Sequence, residues 1–162
     1  GTLAAADSVK LSPETYFTVR NQSGSDFDIV VSGAVPVNIV GSTVSSETFT
    51  QDNQLVNPYP SGLPLDSADL TSVVSASSNV FAPGDEVVLF ESTGTTINRS
   101  SVASYFYHDG TSGFLGAGWY QTGSLSPSGS VEIPAGGAFW IRKAGTSGAE
   151  IVEWNPPVPY TL

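Results

Sequence analysis

Along most of the chain, apolar and polar positions alternate with a period of two, not 3.6. Residues 15–20 place Tyr16 and Thr18 on one face, Phe17 and Val19 on the other. Residues 26–31 set Phe27, Ile29 and Val31 against Asp28 and Val30. Residues 35–40 put Val35, Val37 and Ile39 on one face, and Pro36 inside the run predicts an edge or bulged strand. Residues 86–91 form a near-continuous apolar run, the pattern of a strand buried on both faces. Residues 102–108, 117–121, 130–133, 138–142 and 150–154 bring the set to about ten strands.

Turn chemistry separates these runs. Ser23-Gly24-Ser25, Ala82-Pro83-Gly84-Asp85, His108-Asp109-Gly110, Ser126-Pro127-Ser128-Gly129 and Pro134-Ala135-Gly136-Gly137 supply Gly or Pro where the chain must reverse. Short strands at this spacing predict an all-β fold. The expected form is a single antiparallel β-sandwich, jelly-roll, immunoglobulin-like or barrel-like. One short helical stretch of at most two turns is expected over 67–73, capped by Asp66 or Ser67. Both ends differ from the body. Residues 1–14 read as an N-terminal arm, residues 15–154 as the sandwich. Residues 155–162, with Pro156, Pro157 and Pro159, read as an extended C-terminal arm.

Composition narrows the setting. The chain has 162 residues, enough for one well-formed core. It holds 24 Ser, 14 Thr, 17 Gly and 18 Val, with no Cys and no Met. No thiolate is present for zinc, iron–sulfur or disulfide chemistry. Five bases against 15 acids give a net charge of -10, which argues against nucleic acid as a partner. No apolar run approaches a membrane span. The start at Gly1-Thr2-Leu3 reads as a mature chain after removal of an export signal, so an extracellular or cell-surface location is expected.

Several local motifs follow one another along the chain. They are Asn57-Pro58-Tyr59-Pro60, Gly84-Asp85-Glu86-Val87, Tyr105-Phe106-Tyr107 with Gly118-Trp119-Tyr120, Pro134 through Lys143, and Trp154-Asn155-Pro156-Pro157. In this order they resemble a family of uncharacterised secreted bacterial proteins, common in the Verrucomicrobia and their relatives. The resemblance covers roughly residues 30–160 and implies a surface or matrix protein. It implies no catalytic residues. Members of that family are often longer, with the motif set partly duplicated, whereas this chain carries one copy.

Candidate chemistry is sparse. His108 is the sole histidine, and no Gly-x-Ser-x-Gly elbow exists, so no catalytic triad and no enzyme activity are expected. A pair of carboxylates in a cleft would suit glycoside hydrolysis, but the acids fall mainly at strand edges and polar faces. Calcium is the one metal the oxygen-rich composition suits. Its candidate ligands are Asp26 with Asp28, Asp66 with Asp69, and Asp85 with Glu86, none in a calcium-loop spacing. No cofactor is expected. Asn21 and Asn98 match the N-glycosylation pattern.

Two functional expectations follow. The first is a secreted structural subunit of a filament, surface layer or matrix, its partner another copy of itself, assembled by strand or arm exchange. Leu3, Val9 and Leu11 are the N-terminal anchors on this reading, and Trp154, Val158 and Tyr160 the C-terminal ones. The alternative is a carbohydrate-binding or adhesin module. Tyr105, Tyr107, Trp119, Tyr120 and Trp140 would then stack on glycans.

Overall fold

A computed structural model describes residues 23–25, 36–90, 100–111, 113, 115–145 and 148–161. Nine strands lie in this part of the chain. They are β1 (Ser42–Ser46), β2 (Gln51–Val56), β3 (Leu63–Pro64), β4 (Glu86–Phe90) and β5 (Ser101–Asp109). β6 (Ala117–Gln121), β7 (Glu132–Ile133), β8 (Ala138–Lys143) and β9 (Glu150–Trp154) follow. One layer is a five-stranded antiparallel sheet of order β2-β8-β4-β5-β6. The other is composite, made of the pairs β1-β9 and β3-β7 with two 3-10 turns, Leu65–Ser67 and Leu70–Ser72. The fold is thus an all-β antiparallel sandwich. Among the described residues no helix is long and apolar enough to cross a membrane.

The alternation explains the packing. On β8, Phe139, Ile141 and Lys143 point inward and are buried, while Ala138, Trp140 and Arg142 between them are half-exposed. β4 lies inside the sheet, so Val87, Val88 and Leu89 are buried on successive faces, as its unbroken apolar run predicts. Val87, Leu89, Phe139 and Ile141 meet Val44, Leu63, Leu65, Leu70, Ile133 and Trp154 in one core between the layers. Burying an aromatic of this kind stabilises the fold by about 3–5 kcal/mol relative to Ala.

The observed elements differ from the expected ones at three places. Residues 36–40 form no strand, and the chain bends at Asn38. β1 and β2 are strands with no apolar alternation to announce them. Their inward positions include Ser46 and Asn53 as well as Val44 and Leu55. Asn53 is buried because its carboxamide substitutes for a peptide group. Its Oδ1 accepts the Ser45 N–H at 2.8 Å, and its Nδ2 donates to the Ser45 carbonyl at 2.8 Å. The helical stretch over 67–73 is two single 3-10 turns, broken at Asp69, which takes a left-handed φ of 52°. The strands expected over 15–20 and 26–31 lie outside the described residues.

Candidate functional site

The segment 155–161 is seated on its own body. It continues β9 outward, and residues 36–41 continue β1 beside it. The β1–β9 ladder ends at Ser42↔Trp154, and side-chain contacts join the two segments beyond it although the chain bends at Asn38. A Cβ at Gly41 would collide with the Asn155 side chain. The Tyr160 hydroxyl donates to the Pro36 carbonyl at 2.6 Å. The Tyr59 hydroxyl lies between the two segments, donating to the Pro156 carbonyl at 2.8 Å and accepting from the Val40 main chain. Its ring meets Tyr160 edge-on, centroids 5.9 Å apart.

Burial along this segment keeps a period of two. Pro156 is buried, Val158 and Tyr160 are half-buried, and Asn155, Pro157 and Pro159 are exposed. Yet among the described residues no main-chain hydrogen bond joins 155–161 to 36–41. Three prolines have no N–H to give. The tail therefore has the side-chain pattern of a strand without its ladder, and residues 36–40 lose their strand character with it. Beside the tail, Val37 is 63% and Ile39 58% exposed, and Val37 borders a shallow hollow with Val158, Tyr160 and Thr161.

Burial pushes the Tyr59 phenol above its ordinary value, the opposing hydrogen bond from Val40 being weaker and the nearby Tyr160 adding a smaller rise. Tyr59 itself is fixed by Asn57, which is buried. The Asn57 Oδ1 accepts the Tyr59 N–H, and its Nδ2 lies within reach of the Ser61, Ile133 and Pro134 carbonyls. Sequence reasoning did not place Asn57 or Tyr59 in the tail's seat. The signal was present in the Asn-Pro-Tyr-Pro stretch.

Several expected anchors and ligands have other roles. Trp154, expected as an arm anchor, is instead fully buried in its own core. Its Nε1 donates to the Ala68 carbonyl at 2.7 Å and its ring packs edge-on against Phe139. Tyr105 and Trp119, expected on an exposed stacking face, are 8% and 2% exposed and belong to the core, because their faces of β5 and β6 point at the second layer. Tyr107 is half-buried and packs on Trp119 with centroids 5.5 Å apart. Tyr120 is half-buried beside Phe106 and His108.

Asp85 and Glu86 are likewise engaged. Asp85 is buried and ion-paired with Lys143. It also accepts the N–H groups of Ser75 and Ala144 at 2.8 Å each, so its oxygens are committed to the fold rather than open to a cation. Glu86 accepts the hydroxyls of Ser104 and Thr122 at 2.9 and 2.8 Å. Asp66 and Asp69 border one shallow depression. Among the described residues no group of three or more His, Asp or Glu side chains is arranged to hold a metal. Leu3, Val9, Leu11, Asn21, Asp26, Asp28 and Asn98 lie outside the described residues.

Trp140 alone of the three tryptophans keeps an accessible ring, on the outer face of the five-stranded sheet. His108 is fully buried, and its Nδ1 accepts the Gly110 N–H at 2.9 Å, which orders the β5–β6 hairpin. Comparison with known proteins gives no matching family model, no matching curated protein and no matching solved structure.

Proposed function

We propose that this chain is a secreted, non-enzymatic structural subunit that joins copies of itself by exchanging its Pro-rich tail, residues 155–161. The observation that carries this reading is the seat of the tail. It is held by side-chain contacts at Pro156, Val158 and Tyr160 and by no main-chain ladder. A segment bound this way leaves its seat without breaking a sheet. Every contact it makes within one chain is available in the identical seat of a neighbour, so exchange costs mainly the entropy of association. A tail passed head to tail does not close on itself and propagates into a fibre. The tail, rather than the N-terminal arm, is the donor on this reading.

The chain has no cysteine, which makes a direct test simple. Val37 and Val158 border the same hollow beside Tyr160. The variant Val37→Cys with Val158→Cys, oxidised after assembly, gives disulfide-linked ladders on a non-reducing gel if tails are exchanged. Assembled material linked only within single chains overturns the reading. So does a chain that remains monomeric under all conditions tried.

A further inference from the structure

The outer face of the five-stranded sheet carries a depression of about 400 Å³. Its floor is aromatic. Trp140 on β8 and Phe90 on β4 lie with centroids 4.7 Å apart and planes at 59°, above Val88. Ser101, Ser104 and Arg142 form its rim. Beside it, a polar row crosses the sheet from β2 to just beyond β6. Arg142 donates to both carboxylate oxygens of Asp52, from Nε at 2.7 Å and Nη2 at 3.0 Å. Glu86 stands opposite Arg142 in the register and accepts from Ser104 and Thr122. Both charged groups are thus held in place before any ligand arrives.

We propose that this depression binds a neutral saccharide. The carbon face of a pyranose is apolar and flat, matching a tilted indole and phenyl floor. Its ring of hydroxyls needs donors and acceptors at fixed positions, and the Arg142, Glu86 and Ser104 groups supply both. Charge selects against acidic ligands. One guanidinium is set between two carboxylates, Asp52 and Glu86, so the row carries a net negative charge. A peptide that binds by adding a strand is excluded by topology. β8, β4 and β5 are each paired on both sides within the sheet, so no free main-chain edge lines the depression. The site stands on the opposite face of this sheet from the core and does not depend on tail exchange.

The three tryptophans make the test specific. Trp119 and Trp154 are buried, so acrylamide quenching and ligand protection report on Trp140. The full chain is titrated with neutral gluco-, manno-, galacto- and N-acetylhexosamine oligosaccharides, a uronic-acid oligosaccharide and an unrelated extended peptide. A neutral oligosaccharide saturates and shields Trp140. For that sugar, calorimetry shows binding lost in Trp140→Ala, retained in Trp140→Phe, and weakened about tenfold in Ser104→Ala at an unchanged urea midpoint. Preference for the uronic acid or the peptide overturns the proposal. So does a neutral-sugar signal that survives Trp140→Ala, or the absence of any signal. Removing residues 155–161 leaves sugar binding intact, which separates this result from the fate of the tail reading.

Discussion

The Tyr160 hydroxyl donates to the Pro36 carbonyl at 2.6 Å, joining residues 124 positions apart. Among the described residues, this bond and the Tyr59–Pro156 bond link tail and body. Tyr160→Phe removes one of them while keeping the ring contact with Tyr59. The expected cost is about 1 kcal/mol, confined to the tail. Limited proteolysis checks this. Cleavage after residue 154 accelerates in the variant, while the urea midpoint of the body moves little.

The buried pair of Asp85 and Lys143 links the start of β4 to the end of β8. Lys143 Nζ also donates to the Val73 carbonyl at 2.8 Å, tying the loop after the second 3-10 turn to the sheet. Asp85→Ala strands a buried ammonium and frees two N–H groups, at a cost of about 3–5 kcal/mol. Asp85→Asn combined with Lys143→Met restores part of that loss, because no charge is then left unpaired. Urea denaturation of the two variants distinguishes them. Equal destabilisation would show that the charge pair is not what matters at this position.

Alkali acts on the tail's seat through Tyr59. Its phenol titrates above the ordinary value of 10.0 because burial disfavours the phenolate. The folded state therefore holds this proton when the unfolded chain has released it. Its contribution is full below about pH 10 and falls as pH rises through the raised value. Tyr105, raised by burial alone, acts in the same direction. Stability measured by urea midpoint is thus expected to decline above about pH 10. Tyr59→Phe flattens that decline in part and leaves the Tyr105 share.

Salt favours the proposed assembly. Each chain carries a net charge of -10, and neighbours repel over a screening length of about 8 Å at physiological ionic strength. Light scattering is expected to show faster assembly with added sodium chloride. Slower assembly would mean that contacts between subunits are made by paired charges.

The sequence disclosed the apolar half of this architecture. β4, β5, β6, β8 and β9 are legible because their inward residues are large and apolar, as with Phe139 and Ile141. β1 and β2 are not, because polar Ser46 and Asn53 occupy inward positions, and at Asn53 hydrogen bonding replaces burial of carbon. Aromatic residues marked important positions without saying on which side they lie. Trp119, Trp140 and Trp154 look alike in sequence, and only the side of its own layer that each one faces separates the two core residues from the accessible one. The ordered motifs turn out to be partners. Asn57 meets Ile133 and Pro134, Tyr59 meets Pro156, Asp85 meets Lys143, Tyr107 meets Trp119, and Phe139 meets Trp154. Such pairings join positions far apart in the chain, so local patterns do not reveal them.

The tail's missing ladder also has a mechanical meaning. Tension on the C-terminal end loads Tyr160 first, then Val158, then Pro156, one contact at a time. This peeling stops at Trp154, where the β1–β9 ladder begins and the indole is locked to Ala68. The tail is therefore a compliant spring in series with a stiff anchor. Seven residues extend to about 23–25 Å when pulled free, giving slack that is taken up before force reaches the core.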